Sequence, residues 1–230
     1  MKWLVNMLTS TIGRKLIMAL TGLFLILFLV VHLSGNLQLI KGDGGRAFNL
    51  YAEFMTTFPL IKVISIGNFF FILLHIYTSA VLTQRNRAAR PVQYAYLAGQ
   101  STNSSWASRN MGVLGTIILV FLIVHLRGFW YEMHFGSIPT QNYDGKEVKD
   151  LYTVVKATYA QWWYVAFYVI SMIFVGFHLL HGFSSAFQTL GLNHKKYTPL
   201  IKGLGYAIAV LIPLGFAIIP IVMFFQRTDW

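Results

Sequence analysis

Five long apolar stretches constrain this chain more than any other feature. They run over about residues 16–40, 60–83, 111–131, 162–187 and 201–225. A helix rises ~1.5 Å per residue, so about 20 mostly apolar residues cross a hydrocarbon layer of ~30 Å. Each stretch is long enough. Inside lipid, backbone N–H and C=O groups must be satisfied within the chain, which makes spans of this kind helices. The expected fold is all-α, an integral membrane bundle of five transmembrane helices forming one membrane domain over residues 1–230. Composition agrees: 11% of the 230 residues are charged, against about a quarter in soluble domains. The first stretch is too long for a signal peptide, and no small-residue cleavage site follows it, so it is expected to remain as a span.

Charge then orients the bundle. The N-terminal segment carries Lys2, Arg14 and Lys15. The connection between spans two and three carries Arg85, Arg87, Arg90 and Arg109, and that between spans four and five Lys195, Lys196 and Lys202. These ten basic residues share one side with no acid. The opposite side holds eight basic residues and all seven acids: Asp43, Glu53, Glu132, Asp144, Glu147, Asp150 and Asp229. A balance of +10 against +1 predicts a cytoplasmic N-terminus and an outer C-terminus by the positive-inside rule. The net charge of +11 is thus read as topology, with anionic lipid headgroups or acidic partner surfaces as further uses and no nucleic-acid partner. The longest connection, about 132–161, is expected to be a polar outer loop. Span five, with Pro213 and Pro220, is expected to pack outside the other four. Cysteine is absent, which excludes disulfides, thiolate-held iron–sulfur clusters and covalent c-type haem. No P-loop or dinucleotide fingerprint is present.

Ionisable groups within spans are costly and commonly functional. Here they are histidines: His32, His75, His125, and His178 with His181 in spans one to four, and none in span five. His32 lies 17 residues past Lys15 and His125 16 past Arg109, which puts both ~25 Å along outward-running helices, in the outer half. His75 lies 16 residues past Pro59 and His178 16 past Trp162, along inward-running helices and so in the inner half. Taken singly, an intramembrane histidine is more often a packing or proton-relay residue than a metal ligand. Four on four helices, paired in depth, fit two bis-histidine haems, each needing two imidazoles facing each other at one level. Polar and small neighbours support interior faces: Asn68 and Ser79 beside His75, Ser171 and Ser185 at spacings of seven from His178, and Gly115 leading to His125. His181 competes with His178 as ligand. His134 and His194 fall at or beyond helix ends.

The opening Thr-Ile-Gly-Arg-Lys-Leu-Ile-Met-Ala-Leu-Thr-Gly (Thr11 to Gly22), with His32, His75 and His125 and a His-x-x-x-Gly pattern over His178 to Gly182, resembles the di-haem cytochrome b membrane anchor of succinate:quinone oxidoreductases. The resemblance is to the single-polypeptide five-helix type and covers nearly the whole chain. It implies four helices enclosing two stacked haems b, held by His75 and His178 on the inner side and by His32 and His125 on the outer. It favours His178 over His181. It implies quinone, usually menaquinone, as a further cofactor, flavoprotein and iron–sulfur subunits on the cytoplasmic face that carry the succinate/fumarate chemistry, and a bacterial cytoplasmic membrane. Glu53 is the candidate for quinone proton exchange. Gly176 stands where some fumarate reductases of this family carry a glutamate, which weakens the case for the same transmembrane proton path. Two other readings stay open. One is the cytochrome b anchor of a hydrogenase or formate dehydrogenase, whose partners usually sit on the outer face. The other is a haem-free transporter with a histidine proton relay, which would tend to show repeats or interrupted helices.

Overall fold

The computed structural model describes residues 2–89 and 104–226. Arg90, Arg227 and Asp229 of the charge pattern lie outside the described residues. A short helix α1 (Lys2–Thr9) leads into α2 (Thr11–Asn36), which tightens into a 3-10 turn at Leu37–Ile40. Then come α3 (Arg46–Thr57), α4 (Pro59–Ala88), α5 (Trp106–Arg109) and α6 (Met111–His125). A π turn (Leu126–Trp130) continues α6 into α7 (Tyr131–Phe135). A hairpin of β1 (Thr140–Tyr143) and β2 (Lys146–Lys149), α8 (Leu151–Tyr159), α9 (Trp162–Thr189) and α10 (Thr198–Phe225) complete the chain. Five of these segments are long and apolar enough to cross a membrane: Thr11–Ile40, Pro59–Ala88, Met111–Phe135, Trp162–Thr189 and Thr198–Phe225. The apolar runs thus mark every span, and the helices overshoot them at the ends where capping chemistry decides. Ser10 caps α2 by accepting from the Gly13 N–H at 3.0 Å. Pro59 opens α4, where its missing N–H costs nothing.

Every long helix turns large apolar side chains outward, among them Leu27, Leu73, Val120, Ile173 and Leu211, each more than half exposed. A belt of this kind is untenable in water and is the ordinary face toward lipid. Lipid gives no hydrophobic push between helices, so contact depends on close approach at small residues. α9 is the hub, packed against α10, α2 and α6, while α4 leans chiefly on α2. A Cβ at Gly176 would lie 3.1 Å from the Ala209 carbonyl oxygen, one at Gly205 2.9 Å from the Phe183 ring, and one at Gly215 2.8 Å from Leu33. The glycine at 176 is therefore where α9 meets the backbone of α10, and a side chain there would need the Ala209 carbonyl to give by a few tenths of an ångström. Span five packs against one side of the histidine-bearing helices. α10 packs on both α9 and α2 and buries Ile212, Pro213, Ile219, Pro220 and Met223. Its two prolines lie inside a continuous helix, as membrane helices tolerate when neighbours re-satisfy the freed carbonyls.

The segment 132–161 is not a loose polar loop. Its hairpin and α8 fold with α3 into a cap on the histidine-32 end of the bundle. Leu39, Phe48, Met133, Leu151, Val155 and Tyr159 of the cap join Phe129, Tyr164, Tyr168, Ile219 and Met223 of the bundle in one apolar cluster. Gly45, at φ 87°, starts α3 in a left-handed conformation with the Tyr152 ring packed where a side chain would go. The polar centre of the cap is Asn49, fully buried. Its side-chain amide donates to Asp150 Oδ1 (2.8 Å) and to the Tyr143 hydroxyl (3.1 Å), and its carbonyl accepts from the Tyr152 N–H (2.9 Å). Asp150 also caps α8 through the Thr153 N–H (3.1 Å) and accepts from Thr153 Oγ1 (2.7 Å) and Gln141 Nε2 (3.2 Å). Burial raises the Asp150 pKa, but the hydrogen bonds from Thr153, Asn49 and Gln141 outweigh it and hold the carboxyl below its ordinary value. The pieces of the cap are thus joined through one amide and one carboxylate, and the apolar cluster joins cap to bundle.

Asn49→Ala should destabilise the cap by about 2 kcal/mol, since it leaves the Tyr152 N–H without its acceptor and removes one donor from a buried carboxylate. The Asp150 contribution is present above the ordinary aspartate value of about 3.9 and is lost as pH falls through the lower folded value. Amide exchange across 140–159 should therefore be faster in Asn49→Ala at neutral pH. In the parent it should stay slow down to about pH 4 and rise below it. Equal protection in the two proteins at pH 7 would contradict this account of the cap.

Candidate functional site

Four helices bring four imidazoles into two facing pairs. His32 of α2 meets His125 of α6 with ring centroids 5.7 Å apart and planes at 88°. His75 of α4 meets His178 of α9 at 6.3 Å and 65°. The pairs are those expected from depth along the helices, and the ring facing His75 is that of His178, not His181. All four residues are half-buried, on inward faces of otherwise apolar helices.

The separation between the pairs follows from two helices independently. On α2, Thr21 and Gly22 lie against His75, and His32 comes ten residues after Gly22. On α9, Tyr168 lies against His125, ten residues before His178. Ten residues of helix span ~15 Å, so both helices give the same vertical spacing. The α2 residues between are Leu23 to Val31, all apolar, and those on α9, Val169 to Phe177, are apolar or glycine apart from Ser171.

Each pair has its own setting. The His75 Nδ1 lies 3.0 Å from Thr21 Oγ1. That hydroxyl has one proton and gives it to the Ile17 carbonyl at 2.8 Å. With its proton on that carbonyl it accepts from His75 Nδ1–H, the tautomer in which Nε2 keeps the lone pair a metal needs. Gly22 lies beside the same ring, where a Cβ would sit in van der Waals contact at 3.4 Å. Across from it, the His178 Nδ1 is buried with no hydrogen-bond partner. Asn68 Oδ1 on α4 is likewise buried and unpaired, as buried polar atoms rarely are.

The other pair is framed by aromatic rings. His125 Nδ1 lies 3.1 Å from the Tyr168 hydroxyl, and the ring stacks on Phe121 (5.7 Å) and meets the edge of Phe129 (5.6 Å). Tyr168 in turn stacks on Tyr164 (5.0 Å) and touches Tyr159 (5.3 Å). His32 stacks on Phe28 (5.1 Å) and reaches Phe216 of α10 (5.6 Å). Asn36, one turn on, donates to the His32 carbonyl (2.7 Å) beside the ring. The π turn begins immediately after His125. Such single-turn π segments recur at functional sites, and this one carries Phe129 into the aromatic cluster.

Other residues singled out in the sequence lie elsewhere. Ser171 and Ser185 donate to carbonyls of their own helix, Phe167 and Gly182. His134 donates through Nδ1 to the Trp130 carbonyl (2.8 Å) and stacks on that indole. His194 accepts from the Lys196 N–H (3.2 Å) and stacks on Tyr197. Glu53 sits on α3 in the cap, one-fifth exposed, 3.8 Å from Lys146 Nζ. Its neighbour Tyr51 packs on Gly35 of α2, and two residues along a helix turn about 200°, so Glu53 faces the hairpin and not α2. Sequence reasoning missed Thr21, Tyr168, Asn36 and Phe216. Thr21–Gly22, a polar and a small residue inside an apolar run, was a readable signal. Tyr168 and Phe216 carried none, being aromatics among aromatics.

Among the described residues no three histidine, aspartate or glutamate side chains converge as a metal site built from protein alone requires. No family model, curated protein or solved structure matches the chain.

Proposed function

We propose that the protein is a membrane electron-transfer subunit holding two haems b, one between His75 and His178 and one between His32 and His125. The observation that carries the reading is the meeting of four histidines from four helices as two facing pairs. A metal–imidazole bond is about 2 Å long, so two imidazoles on one iron have centroids about 6 Å apart. The spacings of 5.7 and 6.3 Å fit. So does the bare Nε2 that Thr21 imposes on His75, and so does a site with only two protein ligands, because a porphyrin supplies the other four. The haem-free proton relay is less well supported: over the ~15 Å between the pairs the α2 side chains are all apolar, and the one hydroxyl on α9, Ser171, donates to the Phe167 carbonyl of its own helix.

When bound, haem supplies one-electron transfer across the bilayer. The chain's own part is to hold and orient it. Thr21 fixes the ring and tautomer of His75 and strengthens it as a ligand. Tyr168 positions His125. The aromatic cluster and the cap close the outer pair from water. Together with the resemblance noted above, this supports the anchor of a succinate dehydrogenase or fumarate reductase in a bacterial cytoplasmic membrane. In that reading the N-terminus and the flavoprotein and iron–sulfur partners are cytoplasmic, and (mena)quinone exchanges electrons at the outer pair. Glu53, sheltered beside Lys146, is assigned to quinone proton exchange.

Haem per chain tests the assignment. His32→Ala, His75→Ala, His125→Ala and His178→Ala should each lose at least one of two haems, while His181→Ala keeps both. Loss with His181→Ala and retention with His178→Ala would reverse the choice on α9.

Glu53→Gln keeps size and removes the titrating carboxylate. It should slow quinone-linked turnover by about tenfold or more, with haem content and succinate oxidation by a soluble acceptor unchanged. Unaltered quinone turnover would remove Glu53 from the reading.

A further inference from the structure

The N-terminal helix poses a separate question. Along α1 at 100° per residue, Lys2, Asn6 and Thr9 share one narrow face, and Trp3, Val5, Met7 and Leu8 spread over the rest. Those four apolar side chains are exposed, Trp3 by 70%. The helix does not run on into α2. Ser10 breaks it with an extended backbone, donates from Oγ to the Met7 carbonyl (2.6 Å) and accepts from the Gly13 N–H. Gly13 is pressed against the Met7 carbonyl, where no side chain fits. The joint is therefore a fixed bend. It also fixes Arg14, whose Nε donates to the Thr9 carbonyl at 3.0 Å.

Beside this joint lies a cavity of about 200 Å³ between α1, α2 and α4, lined by Leu8, Arg14, Ile17, Leu74, Tyr77 and Thr78. The lining is apolar apart from the guanidinium and the hydroxyls. Arg14 Nε is held, and no further partner for its two terminal nitrogens is described among the described residues. The cavity stands where the exposed apolar belt begins, at Ile12 and Leu20 of α2, on the side of the chain whose ten basic residues face no acid.

We propose that α1 lies in the plane of the membrane surface and that the slot between α2 and α4 binds an anionic phospholipid, its phosphate on Arg14 and an acyl chain along Leu8, Ile17 and Leu74. A helix with a broad exposed apolar surface and a polar edge led by a lysine suits such a position. A planar guanidinium at the mouth of an apolar slot matches a ligand with an anionic head and a hydrocarbon tail. An acidic protein segment would match the charge and leave the apolar lining uncovered. The proposal needs only a membrane surface at this end of the bundle, and so stands apart from what the histidines hold.

The test uses the full chain, purified and placed in bilayers of phosphatidylcholine mixed with phosphatidylglycerol, with retained lipid counted by native mass spectrometry. Arg14→Gln should lower phosphatidylglycerol retention about fivefold, and Arg14→Lys should restore most of it. Leu8→Asp, on an exposed face outside the bundle, should lower it as well. Arg85→Gln, at the same end of the molecule but outside the slot, should not. Equal retention of phosphatidylcholine, or equal loss in Arg85→Gln, would mean diffuse attraction and overturn the site. Displacement of the lipid by a polyglutamate peptide whose binding needs Arg14 would make the slot a protein-docking site and overturn it too. Haem content is scored in every variant, so a defect of the histidine bundle is distinguished from loss of lipid.

Discussion

Placing four imidazoles inside a membrane bundle is the constraint on which the rest of this structure depends. Lipid offers them no hydrogen bonds, so each must find a partner within the protein or on a bound group. On α4, His75 uses the Thr21 hydroxyl; on α6, His125 uses Tyr168. Both partners come from the neighbouring helix in contact, which ties helix position to ring orientation. A shift of α2 against α4 by one residue would take Thr21 and Gly22 away from His75 together. The close approaches at Gly176, Gly205 and Gly215 set those helix positions, since packing and not hydrophobic pressure holds helices together in lipid.

The two pairs sit in unlike surroundings, and this has a physical consequence. Beside His32 and His125 lies a large buried apolar cluster, running from the bundle into a cap fixed by Asn49 and Asp150. Beside His178 lies a smaller apolar cluster of Ile26, Leu179, Phe183 and Ala209. Of the His75 and His178 rings, the first has an acceptor for Nδ1–H and the other has none. Hydrogen bonding to a ligand imidazole tunes the metal it holds. Two metal-holding groups bound in these places would therefore differ in potential.

The sequence made some of this legible and hid the rest for identifiable reasons. The five spans and the partnership of the histidines were readable because both depend on one-dimensional quantities, hydropathy and distance along a helix. The role of Gly176 was half readable: the residue stood out, but its contact with Ala209 needed the crossing of α9 and α10. The cap was hidden because a short hairpin and a nine-residue helix leave little periodic signal, and because Asn49 and Asp150, 101 residues apart, look like any polar loop residues. α10 gave no hint of reaching His32, since Phe216 is one aromatic in a helix of apolar side chains. The rotation of Glu53 away from α2 was likewise invisible without the start of α3 at Gly45.

The central claim is that each histidine pair holds one haem iron between two imidazoles. Low-temperature electron paramagnetic resonance of the oxidised, purified protein tests it most directly, because the signal of a low-spin ferric haem reports both axial ligands and the angle between their planes. With planes at 88° and 65°, the account predicts two low-spin ferric signals of strong anisotropy, one lost in His125→Ala and the other in His178→Ala. A protein without haem, a high-spin signal of a singly ligated iron, or one signal that both substitutions abolish would contradict it.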